Sequence, residues 1–385
     1  MKKRILFYLN RFPGIGGIER ITHDLAESFI YELNYDVGIF SVCHEVGIEY
    51  KNNINGIKLF GASDLLKNQN SSSLEETISQ FKPDIVIFQD SYAPVEDAII
   101  ALKDKYKFKL ITVEHNTPNC LSKDYLIRSK EHSLLHPIGF IKRILSPYVY
   151  FKIKIKNSRR HKKLIKASDR YVVLSETYKN LLPSCRKSNW DNIIAIPNFK
   201  NDFGEKLVAN SEKKKQVLFV GRLTAQKGIK YLIDIWSKIE PKYKDWNLIV
   251  AGDGELREYL ENEISKRGLQ RIQLLGFRTD VNKLYEESAA LFMTSVFEGF
   301  PLVLAEAMQF GVVPFAFDSF TAVHDIIDDN SGFIIRSFNI NDYIKAFGSF
   351  ISFVDIPPSY AIEKSKNFRK SIILDKWKSL LEQLK

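Results

Sequence analysis

Cysteine is scarce: Cys43, Cys120 and Cys185 are the three among 385 residues, widely spaced and without a Cys-x-x-Cys pair. That argues against a disulfide or zinc framework and for a reducing compartment. No run of 18 apolar residues occurs, so no membrane-spanning helix is expected. Asp-x-Asp is missing everywhere, and with it one closely spaced carboxylate pair that could hold a metal ion. Lys2-Lys3-Arg4 opens like a secretory signal, but the apolar run Ile5–Leu9 is too short and stops at Asn10-Arg11; it reads as a first β-strand. Acidic residues are absent between Glu131 and Asp169, a stretch in which Ile141–Lys166 holds ten Lys or Arg.

What is present is ordinarily globular, at 45% hydrophobic and 26% charged. The chain is too long for one hydrophobic core, and two domains are expected. The net charge of +10 is uneven: residues 1–200 carry 31 Lys+Arg against 21 Asp+Glu, and the remainder 25 of each. In the first half, Ile5–Leu9, Val37–Val42, Ile85–Phe88, Leu110–Val113 and Tyr171–Leu174 read as strands. Ile18, Ile21, Leu25 and Phe29 fall at helical spacing after the first of them. The second half restarts the pattern with strand Gln216–Val220, a helix over 228–239 and strand Asn247–Ala251. A helix over 255–266 and strands Ile272–Leu275, Leu291–Thr294 and Val312–Ala316 follow. Such alternation means α/β architecture with parallel sheets covered by helices on both faces. The polar segment Lys200–Lys215 divides two doubly wound, Rossmann-like domains, 1–200 and 201–365. A terminal amphipathic helix within 366–385, with Trp377, Leu380, Leu381 and Leu384 on one face, is expected to pack back across them. Ligands in such folds sit at the carboxyl ends of strands, so the cleft between two facing domains is the default site.

Several strand ends carry chemistry. Glu298-Gly-Phe-Pro-Leu-Val-Leu-Ala-Glu306 sets two carboxylates around an apolar run. Pro301 suits the first helical position, so Glu298–Phe300 reads as loop and 301–310 as a helix closed by Gly311. Its start would present the N–H groups of Leu302 and Val303 to an anion, with Glu306 one turn deeper. After strand 216–220, Gly221-Arg222-Leu223 and Lys227-Gly228 deliver a forked donor and a mobile point charge, a pair suited to a diphosphate. Gly14-Ile15-Gly16-Gly17 would let backbone approach a phosphate or sugar ring, without matching the spaced three-glycine dinucleotide fingerprint. Val113-Glu114-His115-Asn116 places an imidazole at a strand end, where a sugar contact and a purely structural histidine are comparable readings. In Gly276-Phe277-Arg278-Thr279-Asp280 the backbone of Gly276–Arg278 could hold a base edge, and Asp280 reads as a helix N-cap.

Together these motifs resemble the retaining glycosyltransferases of family 4, which have the two-domain GT-B fold. The resemblance is most specific over roughly 215–340. It rests there on Gly-Arg-Leu-x-x-x-Lys-Gly at 221–228, Ala251-Gly252-Asp253-Gly254, Gly276-Phe277, and the Glu-x7-Glu motif with Phe300-Pro301-Leu302. The first half is similar in layout through Gly16-Gly17, His115 and Val173-Leu174-Ser175-Glu176. One departure is Phe199-Lys200 after Pro197-Asn198, where the family usually has Gly. The resemblance implies that Arg222 and Lys227 neutralise the leaving diphosphate of a UDP- or GDP-sugar, with no other cofactor and no metal. It implies that Glu306 binds the ribose hydroxyls, and that Glu298 and the Phe300–Leu302 backbone hold the donor sugar. Gly16-Gly17 would approach the phosphate, and His115 the sugar near its reacting face.

The expected function is therefore sugar transfer to a lipid-linked or oligosaccharide acceptor in surface polysaccharide synthesis, in the cytoplasm or peripherally on the inner membrane face. Ile141–Lys166 suits an anionic membrane surface. Ile141, Ile144, Leu145 and Tyr148 suit a helix there, whereas Phe151–Lys156 alternates with a strand period. A nucleotide-sugar 2-epimerase shares the architecture, and a non-catalytic sugar-nucleotide-binding protein is a third reading. A nucleic-acid-binding protein would not need the paired Glu, and no recognition motif supports it.

Overall fold

The computed structural model describes residues 2–14, 16–44, 53–61, 70–92, 95–130, 137–183, 191–200, 213–352 and 357–384. The chain divides into two compact units, each discontinuous in sequence. The first comprises Met1–Pro118, Ile155–Asn198 and Ser371–Lys385; the second comprises Asn119–Lys154 and Phe199–Lys370. Two stretches thus depart from a division at residue 200: 119–154 clusters with the second unit, and the terminal segment with the first. Within the dividing segment Lys200–Lys215, positions 201–212 lie outside the described residues, as does Cys185.

The first half runs β1 (Arg4–Arg11), α1 (Gly17–Tyr31), β2 (Asp36–Cys43), β3 (Asn53–Ile54), β4 (Ile57–Gly61), α2 (Asn70–Phe81), β5 (Ile85–Phe88) and α3 (Glu96–Tyr106). It continues with β6 (Lys109–Glu114), α4 (Cys120–Lys130), α5 (Pro137–Ala167), β7 (Arg170–Val173), α6 (Glu176–Lys179) and β8 (Ile193–Ala195). Its sheet has the order β3-β4-β2-β1-β5-β6-β7-β8, parallel throughout except for the β3–β4 pair. Ile5 to Leu9 of β1 and all of Ile85–Phe88 are buried, as a sheet covered on both faces requires.

The second half runs β9 (Lys214–Val220), α7 (Ile229–Ile239), β10 (Asn247–Ala251), α8 (Arg257–Arg267), β11 (Ile272–Gly276), α9 (Val281–Glu287) and β12 (Ser288–Met293). Then come α10 (Leu302–Gln309), β13 (Val313–Phe317), α11 (Val323–Ile326), β14 (Phe333–Ile335), α12 (Ile340–Ser352), α13 (Pro358–Lys366) and α14 (Lys370–Gln383). All five strand pairs in the order β11-β10-β9-β12-β13-β14 are parallel. Helix α7 buries Ile229, Leu232, Ile233 and Trp236, the i, i+3, i+4, i+7 set that turns one stripe to the sheet. Each such side chain adds about 1.5–3 kcal/mol on burial.

In each sheet the order reverses at one strand. Neighbours β2 and β5 flank β1, and β10 and β12 flank β9. A crevice opens beyond the carboxyl end of such a strand because successive crossovers leave in opposite directions. The Gly14–Gly17 loop follows β1 and the Gly221–Gly228 loop follows β9, so both occupy the switch point of their own sheet.

Helical structure extends through Phe151–Lys156. Ser146, Asn157, His161 and Leu164 of α5 are buried and Ile153 is half-buried. This 3.6-period seam is far longer than the short alternation that suggested a strand. The terminal helix α14 lays Trp377 edge-to-face on Phe29 of α1, at 6.1 Å between ring centres. Lys3 donates to the Leu381 carbonyl at 2.7 Å.

Candidate active site

The loop after β9 is held rigidly. Gly252 comes so close to the Gly221 carbonyl that a Cβ would lie 1.8 Å from its oxygen. Leu223 donates to Asp253 and accepts from Leu256, both at 2.9 Å. Residues Ala225–Lys227 form one 3-10 turn, and Gly228 then adopts φ 68° to start α7. A side chain there would meet the Thr294 carbonyl oxygen at 2.0 Å, so the position admits only glycine. The facing loop after β12 locks onto this one. Val296 donates to Gln226 at 2.8 Å, the Thr294 hydroxyl to the Lys227 carbonyl at 2.9 Å, and the Gln226 amide to Phe297 at 3.1 Å.

That locking brings the cation loop to the paired-Glu motif. Lys227 Nζ lies 2.6 Å from Glu298 Oε1, and Glu298 is buried. Lys227, Ser295 and Val303 line one small hollow with Val220 at the end of β9 and Met293 at the end of β12. Arg222 is exposed, and among the described residues its guanidinium has no recorded ion pair. The two cations are thus unequally placed: Lys227 is paired with Glu298, while Arg222 is exposed and has no ion pair among the described residues.

Helix α10 starts one residue later than the sequence suggests. Pro301 is its N-cap, at φ −75° and ψ 98°, with its carbonyl accepting from Leu304 at 3.1 Å. An extended Pro301 turns the chain before the helix begins, leaving the N–H groups of Leu302 and Val303 without a preceding helical carbonyl. Phe300 is buried edge-to-face against Phe368 at 5.2 Å, so from this residue the backbone is what remains for a ligand. Glu306 is buried one turn inside and accepts from the Tyr285 hydroxyl at 3.2 Å. Tyr285 in turn stacks on Phe310 at 5.7 Å.

Gly276 ends β11 at φ 70°, and its carbonyl accepts from Gly252 at 2.8 Å. The Phe277 ring is 62% exposed. Asp280 occupies the N-cap position of α9 but makes no capping bond. Arg278 takes its carboxylate instead, through Nε at 2.8 Å and Nη2 at 2.6 Å. A charged fork outcompetes a neutral backbone N–H for the same oxygens, which corrects the capping role expected for Asp280.

In the first unit Gly16 is the N-cap of α1 and Gly17 its exposed first residue; Ile15 lies outside the described residues. His115 follows β6, and its Nε2 lies 2.5 Å from the Gln89 Oε1 that follows β5. Burial pushes the imidazole down to about 4, so it is neutral at physiological pH and acts as hydrogen-bonding group rather than cation. Behind it, fully buried Glu114 accepts from Ser91 at 3.0 Å, Tyr171 at 3.2 Å and the Asn116 N–H at 3.3 Å. Burial pushes its carboxyl up, opposed mainly by His161. His161 reaches Tyr171 at 2.9 Å and the Pro118 carbonyl at 3.2 Å. The 115–118 loop therefore stands on a polar network that only Glu114, inside the quoted motif, announced in sequence.

Lys200 is another group that sequence reasoning left unexplained. It is 1% exposed, donates through Nζ to the Gln309 side chain at the end of α10, and bonds through its N–H to Phe368 at 2.8 Å. One residue beyond the position where the family usually has Gly, Lys200 thus provides a cation at the carboxyl end of the paired-Glu helix, where the dipole favours one. Among the described residues, side chains close enough to share a metal ion are His23, Asp24 and Glu27 on α1. Asn55 already donates to Glu27 at 2.6 Å, and no residue of the Gly221–Gly228 loop belongs to that group.

Comparison with known proteins bears on the family and the fold. Residues 15–201 match the family model Glycosyltransferase Family 4, and residues 202–367 match Glycosyl transferases group 1. An uncharacterized glycosyltransferase of Haemophilus influenzae is 26% identical over 98% of this chain and 100% of its own. A Campylobacter jejuni protein, the GalNAc-alpha-(1->4)-GalNAc-alpha-(1->3)-diNAcBac-PP-undecaprenol alpha-1,4-N-acetyl-D-galactosaminyltransferase, is 29% identical over 45% of this chain and 50% of its own. The crystal structure of Anabaena HepE in complex with UDP and glucose superposes with a TM-score of 0.72 at 16% identity, covering 99% of this chain and 100% of that one. Two glycosyltransferase models divide nearly the whole chain between them, the Haemophilus influenzae relative spans it, and the two sheets carry the same architecture: the chain belongs to the glycosyltransferases of GT-B fold.

Proposed function

We propose that the protein is a retaining, metal-independent hexosyltransferase that moves a sugar from a UDP- or GDP-sugar to a lipid-linked or oligosaccharide acceptor in surface polysaccharide synthesis. The single observation that carries this reading is the locking of the Arg222–Lys227 loop onto the Glu298 loop beside the open N-terminus of α10. Cation, carboxylate and helix dipole meet there at the carboxyl ends of β9 and β12. Arg222, Lys227 and the N–H groups of Leu302 and Val303 take the diphosphate, stabilising the negative charge that grows as it leaves. Glu306, steadied by Tyr285, takes the ribose hydroxyls, and the Gly276–Arg278 backbone the base edge. Glu298 and the Phe300–Pro301 backbone take the donor sugar. Gly16, Gly17 and the neutral His115 stand at the corresponding pole of the first sheet, and to them the reading assigns the phosphate and the reacting face of the sugar.

The chemistry needs no protein nucleophile. The bond from the anomeric carbon to the phosphate oxygen breaks while the acceptor oxygen bonds that carbon on the same face. The acceptor's proton passes to the departing phosphate oxygen. With charge supplied by fixed cations and a helix dipole, turnover should proceed in EDTA. Anomeric configuration, followed by proton NMR of the product formed in EDTA, tests both parts. The expected product keeps the donor's configuration at undiminished rate. An inverted product, or metal-reversible loss of activity, contradicts the mechanism, and a free 2-epimerised sugar nucleotide would favour the epimerase reading.

A further inference from the structure

The amino ends of the first sheet form a concave surface of their own, at the pole away from the glycine loop. A groove of about 1180 Å³ runs past the starts of β1, β2, β5 and β6, wholly within the first unit. Arg4, Asp36 and Lys109 are the first residues of β1, β2 and β6, and Asp84 precedes β5. Six cationic side chains line the groove against two carboxylates, Asp36 and Asp84. Both carboxylates are already engaged. Asp36 pairs with Lys58 at 2.8 Å, and Asp84 accepts the Arg4 N–H at 2.7 Å. Lys3 is likewise engaged, by the Leu381 and Leu384 carbonyls at the end of α14. Lys109 lies near Asp169, which Lys103 pairs at 2.9 Å. Lys2, Arg4, Lys82 and Lys107, which line the same groove, make no ion pair among the described residues.

Two of these cations sit where the backbone discourages a side chain. Lys82 and Lys107 close α2 and α3 at φ 48° and φ 60°. Gly or Asn normally fills that left-handed region, and the other left-handed positions described in this unit are Asn34, Asn55, Gly56 and Gly61. Helix polarity does not call for a cation at 107, because α3 already carries Lys103 and Lys105 in its last turn. Like charges gathered in one concavity also repel one another. Backbone strain and repulsion in the same groove are both offset when an anion occupies it. From β1 through β5 to β6 the strands stand about 5 Å apart, so the cations spread over roughly 10 Å. That is more than a single phosphate can bridge, and it suits linked phosphates.

We propose that this groove binds a soluble oligophosphate anion, two or three linked phosphates, through Lys2, Arg4, Lys82 and Lys107. It lies the eight residues of β1 away from the Gly14–Gly17 loop, about 25 Å at 3.3 Å per residue. It shares no residue with the Gly221–Gly228 loop, so it can fail while the transfer reading stands. Titration calorimetry of the full chain with inorganic tripolyphosphate at fixed ionic strength is the test, with sulfate and orthophosphate as controls. Tripolyphosphate should bind one site far more tightly than either control. Lys82→Gly/Lys107→Gly should weaken it about a hundredfold, a tenfold step for each lost charge-assisted contact. That variant should melt close to the parent, because glycine fits both backbone positions, and should keep the parent's thermal shift with nucleotide sugars. Arg222→Ala should leave the tripolyphosphate titration unchanged. ATP in place of tripolyphosphate tells two sources apart: tighter binding assigns a nucleotide, weaker binding an inorganic polyphosphate, and either supports the site. Equal binding by parent and double-glycine variant overturns the inference, as does loss of binding in Arg222→Ala. So does an affinity for tripolyphosphate no greater than that for sulfate.

Discussion

At the residue scale the two cations of the donor loop separate into different physical roles. Arg222 is exposed with no recorded ion pair among the described residues, so Arg222→Ala should lower kcat/KM by about 2–4 kcal/mol in transition-state free energy, the scale of losing one oxyanion donor, with the melting temperature unchanged. Lys227 is bonded to buried Glu298, so Lys227→Ala removes the same kind of charge and also takes a charged partner from a buried carboxylate, which costs about 1–3 kcal/mol of stability. Lys227→Ala/Glu298→Gln should recover that stability without recovering turnover. Steady-state kinetics beside thermal melts separate the two effects, and near-parent kcat/KM in both single variants would sink the diphosphate assignment. The candidate residues were legible here because Gly, Arg, Lys and Glu stood at strand ends. Their pairing was not, since nothing in the local sequence says that Lys227 reaches a residue 71 positions on.

At the element scale α10 is the piece on which the account turns. Its N-terminus opens toward the hollow lined by Lys227, and its far end is fixed by the buried Lys200–Gln309 contact. Lys200→Ala leaves the Gln309 side chain without that donor and leaves a void where the buried Lys200 side chain stood. The expected loss is about 2 kcal/mol, a fall of roughly 4–8 °C at two to four degrees per kcal/mol, with weaker nucleotide binding as the helix loses its anchor. An unchanged melting temperature by scanning calorimetry would show that the contact contributes nothing. Sheet strands were the readable elements: Ile85–Phe88 and Asn247–Ala251 are bounded as their apolar runs suggest. Ile85–Phe88 and Leu248–Ala251 are buried at every residue, so a continuous apolar run marks them. Short edge strands such as Asn53–Ile54 and Phe333–Ile335 have too few residues to show a period. Helix α5 misled locally because Phe151–Lys156 alternates, and only the longer inward seam from Ser146 to Leu164 resolves it. The N-cap at Asp280 failed for a different reason, competition from Arg278 two residues away.

At the scale of the whole molecule, two parallel sheets each reverse their order at one strand and each present a glycine loop at the carboxyl end of that strand. Strand–helix alternation and the restart near residue 216 made this architecture readable. The exchange of segments 119–154 and 371–385 between the units was not, because it follows from tertiary packing such as Trp377 on Phe29. Function at this scale rests on one claim, that the second unit binds a nucleotide diphosphate sugar between Arg222, Lys227 and the start of α10. Thermal unfolding of the full chain with UDP-, GDP- and ADP-sugars, beside the Arg222→Ala variant, tests it most directly. A ligand at a hundred times its dissociation constant adds about 2.7 kcal/mol, so one base should raise the melting temperature of the parent clearly and that of Arg222→Ala far less. Stabilisation by none of the nucleotide sugars, or equal stabilisation of parent and variant, would contradict the account.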